Sequence, residues 1–560
     1  MSVSDVQSKQ QKLQAILKSK GLDAIFLTSF DRYLNEYVPL EDCHRHDVTG
    51  FKGSVADVLL PAVGKAQLFV DGRYHEQADK QCDLDLVDVV KCPYGVSNFD
   101  ALKDSITKNG FKKIAVEGER IGVGPWRELS ELCQVEVLTA NDVATIGFGQ
   151  APKMGEMKLI SDELAGESVE SKLARICQEG EAIFVTALDS VSWLSNTRGY
   201  QLPFQATSRA QAFATRDGLT LLPDEGAAVA SEVSNKYKII DSISKLDTAG
   251  LKKISFFPAV TTVADYLLLA ELGVELQEKS GSLTHYHADK NIKEIEVMED
   301  SFDRGDQAIF KTLLWLKDEV HKREVTEQEF NDQTTVHYKE MGAIGQSFRT
   351  ISGFGANSSI MHYGTPSKEK TWQSGELALL DSGAFFDGGL ATDTTRTILP
   401  KGEACPRTKQ LYTLVLKGLL NAQNAVFPEG TRGQAIDALA RAPMRRMGYD
   451  FAHGTGHGVG INVHEGGYSV TPISQVPLVA GRVGSIEPGI YIPGFGGVRL
   501  ENIALVEKHP TYKGMLRFRP LVWIGYDLDL IEKTMLNQEE IQWFMEYEAE
   551  CQKRGRSFRP

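Results

Sequence analysis

What this chain lacks narrows its chemistry before anything it contains. Its seven cysteines (Cys43, Cys82, Cys92, Cys133, Cys177, Cys405, Cys551) are scattered, odd in number and never spaced Cys-x-x-Cys. That pattern excludes a disulfide framework and a thiolate zinc site, and it points to reduced thiols in a cytoplasmic protein. No apolar stretch approaches the roughly 20 residues that span a bilayer. The start Met1-Ser-Val-Ser-Asp-Val-Gln has no charged region leading into an apolar core, so no signal peptide is expected. Apart from the short tail Arg554-Gly-Arg556-Ser-Phe-Arg559 there is no basic run, and the formal net charge is −14. Neither nucleic acid nor an anionic membrane is therefore an expected partner. Gly-x-Ser-x-Gly is absent, and neither a serine nor a cysteine hydrolase is the expected reading.

What is present is a long, ordinary globular composition, 42% hydrophobic and 24% charged over 560 residues. That length suggests roughly three or four domains. A helical pattern through Leu13, Ile16 and Leu17 stops at Gly21 and is followed by the buried-strand run Ala24 to Asp31. A hairpin pattern, Ala56–Leu60 and Ala66–Arg73, and the strand Phe111–Gly118 follow. The next stretch repeats this order. Leu173, Ile176 and Cys177 precede Gly180, Ala182–Asp189 nearly copies Ala24–Asp31, a hairpin pattern covers Ala210–Leu222, and Leu251–Pro258 parallels Phe111–Gly118. Two matched segments in one order imply two copies of one fold, joined by a polar linker from Pro152 to about Ser168. Near Asn291 a long amphipathic helix begins, carrying Ile295, Met298, Phe302, Ile309, Leu313 and Leu316. Thr326-Glu-Gln-Glu329 has the capping-box pattern of a second helix ending near Met341-Gly342. A second helix pair, Leu411–Val426 and Gly433 to Met447-Gly448, suggests a two-fold repeated α+β domain with a site between its halves. A last helix is expected to start at Asn537, with Glu540 three residues on.

The chemistry concentrates between Leu377 and Glu501. Asp381 ends a buried-strand pattern, and Asp393 opens its return strand, twelve residues later. Residues facing across a two-residue hairpin are separated by an odd number. For both carboxylates to reach one site, the connection needs an odd-length loop or a bulge, which Gly388-Gly389 can supply. His453-Gly-Thr-Gly-His457-Gly carries too much glycine for a helix. It reads as a loop whose backbone closely approaches something, and with no Lys-Ser/Thr after it a phosphate cradle is disfavoured. Glu487 and Glu501 flank a Gly/Pro-rich turn, and His464-Glu465 adds another imidazole. Taken singly, a strand-end Asp is a turn or cap residue and a lone Glu a surface ion-pair partner. Together, four carboxylates and one imidazole make a ligand set that suits two divalent cations better than one, since the oxygens can bridge a pair of ions.

With His362, Val463-His464-Glu465, Glu487-Pro-Gly and Arg499-Leu-Glu501-Asn502 in this order, the chain resembles the pita-bread metallopeptidases, in particular the long three-domain Xaa-Pro aminopeptidase family. The likeness covers nearly the whole chain. Upstream it includes Glu36-Tyr37, Thr49-Gly50-Phe51-Lys-Gly53-Ser54, Val70-Asp71-Gly72-Arg73-Tyr74, Ala187-Leu188-Asp189 and Asn196-Thr-Arg198-Gly199. The resemblance implies an α/β and α+β architecture: creatinase-like domains at 1–155 and 156–288, then a pita-bread catalytic domain with a C-terminal extension at 289–560. It implies Asp381, Asp393, His457, Glu487 and Glu501 as ligands of two divalent ions, manganese being the usual metal. Asp393 and Glu501 would bridge them, with Asp381 completing one site and His457 with Glu487 the other. It implies a metal-bridging hydroxide as nucleophile, Glu487 as general base, and His362, His453 and His464 as residues that position substrate and stabilise developing charge. The implied reaction releases the N-terminal residue of peptides with proline second, in a cytoplasmic homodimer. The alternatives are a prolidase acting on Xaa-Pro dipeptides and a non-catalytic pita-bread peptide-binding module. Two features depart from the family pattern: the Asp pair is one residue further apart than usual, and the segment Val459–His464 is shorter than in the animal enzymes.

Overall fold

The structure, a computed structural model, describes residues 2–93 and 95–559. The chain forms two compact units, one of Met1–Ile160, Glu167–Pro203 and Thr207–Leu283, the other of Ser161–Gly166, Phe204–Ala206 and Thr284–Pro560.

In the first unit one sheet is built twice. Helix Val3–Lys20 starts at a Ser2/Asp5 capping box and stops at Gly21, whose φ of 64° suits glycine. The first sheet then takes β1 (Ala24–Leu27), β2 (Asp57–Pro61), β3 (Ala66–Val70), β4 (Val87–Lys91), β5 (Lys113–Glu117) and β6 (Gln134–Leu138), in the order β4-β3-β2-β1-β5-β6. Next come β7 (Lys158–Leu159), β8 (Glu181–Val185), β9 (Thr197–Arg198), β10 (Ala210–Thr215), β11 (Gly218–Pro223), β12 (Lys238–Ile239), β13 (Lys253–Phe256) and β14 (Glu275–Glu278). Strands β7 and β9 pair with each other, and the rest form a sheet ordered β12-β11-β10-β8-β13-β14. The pairings correspond one for one. The central strands β1 and β8 run antiparallel to β2 and β10, and parallel to β5 and β13. The repeat legible in the sequence is thus a repeat of topology, with one divergence: Asp189 lies in helix Leu188–Leu194, where the run from Ala24 to Asp31 continues into a loop.

The two copies also bond reciprocally. The Val123 N–H donates to the Thr261 carbonyl and that of Val263 to Ile121, while Gly124 donates to Pro258 and Ala264 to Gly118. A shift of 140 in residue number, with the two copies exchanged and each donor remaining a donor, converts each bond into its counterpart. The expected linker is ordered: Met157 is completely buried, β7 pairs with β9, and Ser161 caps the short helix Asp162–Ala165. Its polarity reported exposed side chains, whereas main-chain pairing is what fixes it.

The second unit opens on helix Ile292–Glu319, started by an Asn291/Glu294 capping box and burying Met298, Phe302, Ile309, Leu313 and Leu316. Helix Glu327–Glu340 begins at the expected Thr326/Glu329 box. Next come β15 (Gly345–Gln346), β16 (Ile351–Phe354), β17 (Ala378–Ser382), β18 (Ala384–Phe385) and β19 (Thr394–Ile398), with β16-β17-β19 as one sheet. The second helix pair is Pro406–Gln423 and Gly433–Arg445; the first ends short of the expected Val426 because that residue begins β20 (Val426–Pro428). Gly342 and Gly448, just beyond the two second helices, have φ of 81° and 80°, so the Met-Gly repeat marks two equivalent helix exits. The remaining strands are β21 (Gly456–Gly458), β22 (Glu465–Val470), β23 (Val483–Ile486), β24 (Gly489–Ile492), β25 (Gly496–Arg499), β26 (Asn502–Lys508) and β27 (Met515–Pro520). They form a sheet ordered β20-β27-β26-β23-β21-β22 and the hairpin β24-β25. Leu411, Val415 and Leu419 share one buried core with Ile486, Val498 and Leu500. Each such side chain contributes about 1.5–3 kcal/mol, so apolar packing holds the strands whose ends carry the acidic residues. Helix Gln538–Lys553 closes the unit from its Asn537/Glu540 capping box. Among the described residues no helix is long and apolar enough to cross a membrane.

Candidate metal centre

The site begins with a parity problem that the hairpin solves. Asp381 lies opposite Thr395 and Ser382 opposite Thr394. The same register continues to a bridge between Phe385 and Ala391, leaving a five-residue loop, 386–390. Asp393 therefore sits two positions from the partner of Asp381 and on the same face of the ribbon. The odd loop alone achieves this, and Gly388 and Gly389 make its turn at φ of 87° and 63°. Gly383 is equally constrained, since a Cβ there would lie 1.8 Å from the Thr392 carbonyl oxygen.

His457 comes from a strand, not from the loop expected of its glycines. β21 lies between β22 and β23, with a register shift between His457 and Gly458. A Cβ on Gly456 would come within 2.0 Å of the Ser485 carbonyl oxygen, and one on Gly458 within 2.4 Å of that of Glu465. The glycines thus permit close approach between neighbouring strands. Glu487 follows the end of β23, and Glu501 lies between β25 and β26.

These elements bring the acidic residues together. One ligand atom each from Asp393, His457 and Glu501 lie within 4.8 Å of one another. His457 Nε2 is 3.5 Å from Asp393 Oδ2 and 3.4 Å from Glu487 Oε1. Its Nδ1 lies 3.0 Å from the Gly458 carbonyl, which can only accept, so Nδ1 carries a proton and Nε2 is the ring nitrogen that faces the carboxylates. Glu501 Oε2 accepts from Thr395 Oγ1 at 2.8 Å. Arg396, completely buried, donates from Nη1 to the Glu501 carbonyl at 2.5 Å. Arg499 Nη2 donates to Asp381 Oδ2 at 2.5 Å.

The electrostatics leave this cluster short of positive charge. Burial, then the charges of Glu501, Asp381 and Glu487, push the Asp393 carboxyl well above the ordinary carboxylate range against the pull of Arg499. Glu501 is raised by burial, Glu487 and Asp381, against the Thr395 hydrogen bond and Arg499. Asp381 Oδ1 and Glu501 Oε1 are buried with no hydrogen-bond partner among the described residues. Orphaned carboxylate oxygens in an oxygen-rich set with one imidazole fit hard divalent cations.

The three other histidines occupy distinct places. His453 Nδ1 donates to the Gly454 carbonyl at 2.7 Å, and its Nε2 is 2.8 Å from the Tyr491 hydroxyl, which itself accepts from Arg499 Nη1 at 2.8 Å. Burial, opposed by Arg499, pushes Tyr491 up to about 12, so its hydroxyl stays protonated and donates to His453. The His464 ring lies 4.1 Å from that of His457. His362 is half-buried in the loop before β17, next to Met361, whose carbonyl Arg499 Nη1 approaches at 3.4 Å. Sequence reasoning missed Tyr491, four residues beyond Glu487, and the bonding role of Arg499, although Arg499 sits inside a motif it used. It also missed Asp437 and Arg441, a buried ion pair that holds Thr455 Oγ1 and the His453 carbonyl. Their spacing of four on a helix was the available signal.

The chain is similar to known proteins over nearly its whole length. Residues 296–508 match the model of metallopeptidase family M24, and residues 9–145 and 150–294 match two models of the creatinase/prolidase N-terminal domain. The chain is 30% identical to a probable Xaa-Pro aminopeptidase P of Colletotrichum graminicola, covering 99% of this chain and 96% of that protein. It is 31% identical to a counterpart from Metarhizium acridum, covering 99% and 97%. The solved X-prolyl aminopeptidase of Caenorhabditis elegans, described as a cytosolic enzyme with a di-nuclear active site, superposes with a TM-score of 0.89 at 25% identity, covering 98% of this chain and 96% of that one.

Proposed function

The chain belongs to the Xaa-Pro aminopeptidase P family, and from that premise we propose that it is a metal-dependent aminopeptidase that removes the N-terminal residue from peptides whose second residue is proline. The observation that carries this reading is the acidic cluster itself: Asp393, His457 and Glu501 atoms within 4.8 Å, beside carboxylate oxygens that lack any partner among the described residues. We assign Asp381, Asp393, His457, Glu487 and Glu501 as the ligands of two divalent cations, with manganese as the ion that oxygen-rich ligation accommodates. When bound, such a pair polarises a carbonyl oxygen and lowers the pKa of water. Glu487, whose Oε1 accepts from Ser485 Oγ at 3.2 Å, is the general base. It takes the proton of the attacking water and returns it to the proline nitrogen as the carbon–nitrogen bond breaks. His362, His453 and His464 hold the peptide and stabilise charge developing on its carbonyl oxygen, His453 with the Tyr491–Arg499 chain behind it.

The same reading places creatinase-like domains at 1–155 and 156–288 and the catalytic domain at 289–560. It places the protein in the cytoplasm, in keeping with seven free cysteines and the cytosolic nematode relative, and gives it a homodimeric state that light scattering tests. With manganese, the purified protein is expected to release Arg from Arg-Pro-Pro and to leave Gly-Pro intact. Cleavage of other peptides without release of Arg would sink the proline specificity, and cleavage of Gly-Pro alone would favour a dipeptidase.

A further inference from the structure

We propose that Glu327 is a positioning residue for His362, acting as a clamp on both sides of the chain segment that carries it. The inference rests on the reading of His362 as a substrate-holding residue and extends it to what holds that histidine.

Glu327 is the first residue of helix Glu327–Glu340, and it is completely buried. Its Oε1 accepts from the Phe354 N–H at 2.8 Å and from Asn357 Nδ2 at 3.0 Å. Its Oε2 accepts from the Tyr363 hydroxyl at 2.8 Å, the Ser367 N–H at 3.1 Å and Asn357 Nδ2 at 3.2 Å. Its main chain joins the same segment, the N–H donating to the Lys370 carbonyl at 3.1 Å and the carbonyl accepting from Ser352 Oγ at 3.4 Å. All these partners fall between residues 352 and 370, and His362 lies among them, adjacent to Tyr363. Burial and the Glu327 charge push the Tyr363 hydroxyl far above its ordinary range, so it remains a donor to the clamp.

Helix capping does not account for this residue. Thr326 and Glu329 already form the reciprocal box, Glu329 receiving the Thr326 N–H at 2.9 Å and Thr326 Oγ1 the Glu329 N–H at 3.1 Å. A buried carboxylate met by neutral donors is a costly way to fill space. Its effect is directional: four separate points on one loop are fixed to one rigid helix. The opposite flank of the loop is tied to β25, where Gly497 donates to Ser358 Oγ at 2.8 Å and Arg499 approaches the Met361 carbonyl. His362 therefore stands on an arch pinned from the helix by Glu327 and from the ligand-bearing strands by Ser358 and Arg499. Loosening Glu327 frees the arch and leaves the acidic cluster intact.

The test is a double-mutant comparison on the full manganese-loaded protein with Arg-Pro-Pro. Glu327→Gln, which keeps shape and removes charge, is expected to lower kcat/KM about 10- to 100-fold, the scale of a small misplacement of a substrate-holding group. Metal content is expected to stay at the wild-type level. In a His362→Ala background the same substitution is expected to cost nothing further. An equal loss in both backgrounds, or no loss at all, overturns the proposal. Should Glu327→Gln fail to fold, Tyr363→Phe removes one donor only and is judged by the same two backgrounds. Hydrogen exchange of residues 354–367, measured without substrate, is expected to quicken in either variant on both sides of His362; unchanged exchange rejects the clamp. This arm also separates the two ideas. If the wild-type protein releases no Arg, the substrate reading falls while exchange still decides the clamp.

Discussion

Glu465 and Glu501 are both buried carboxylates of the same unit, 5% and 1% exposed, and they settle the cost of a buried charge in opposite ways. Glu465 is supplied with cations by the chain. His287 Nδ1 lies 2.9 Å from its Oε1, and Lys290 Nζ donates to its Oε2, both partners being buried as well. Burial acts to raise the Glu465 carboxyl, but the charges of Lys290 and His287 outweigh it and hold the group below the ordinary range. Glu501 and Asp393 receive only Arg499 at a distance, and both are held well above that range. Equal burial thus has opposite consequences. One carboxylate is a finished structural joint, and the others keep a surplus of negative charge that the proposed cations would balance.

The largest effect comes from removing that demand. Glu501→Ala is expected to abolish peptide release and divalent-ion binding by metal analysis. In chelator the variant is expected to unfold no earlier than the chelated wild type, because it loses a repelling charge. Retained activity would show that the ligand set is wrong. Next in size is breaking the finished joint. Lys290→Met leaves Glu465 buried without its main cation and is expected to cost about 3–5 kcal/mol in denaturant unfolding, with divalent-ion binding preserved in the folded fraction. A smaller shift is expected from chelation of the wild type: each of two ions held at ten times its Kd contributes about 1.4 kcal/mol, read as a fall in Tm that manganese reverses.

The smallest effect is the sign of the pH dependence. The lowered Glu465 gives stability that is present above its unfolded pKa of about 4 and is lost as pH falls through its folded value. Without metal, the raised Asp393 and Glu501 do the reverse, their contribution being full below about pH 4 and lost as pH rises through their folded values. Glu465→Gln should therefore flatten the acid side of the stability profile, and Glu501→Gln the neutral side of the chelated protein. Unfolding measured across pH 3 to 8 checks both slopes, and matching slopes would erase the distinction.

Much of this is legible in the sequence alone, for physical reasons that differ by residue. The capping boxes at Thr326 and Asn537 are local, so three-residue spacing sufficed. The odd loop between Asp381 and Asp393 followed from the two-residue period of a strand. The acidic cluster was visible because its residue types are costly to bury and sit in glycine-rich turns. Illegible were contacts whose partners are far apart in sequence, such as Lys290 with Glu465, 175 residues away. Glu327 was hidden because a glutamate at a helix start already has an ordinary explanation. His457 was placed in a loop because glycine density signals close approach but does not say whether strands or turns make it.

The reciprocal bonds between the two N-terminal copies carry a further consequence. Val123 bonds to Thr261 as Val263 bonds to Ile121, which is the pattern of an isologous contact, the self-complementary interface of a two-fold dimer. Here both partners lie on one chain. Their association therefore does not depend on protein concentration, and a substitution in one copy changes one half of the contact where in a true dimer it would change both. Each half has been free to diverge on its own, as the helix at Leu188–Leu194 has, while the main-chain bonds, which make no demand on side-chain identity, keep the symmetry.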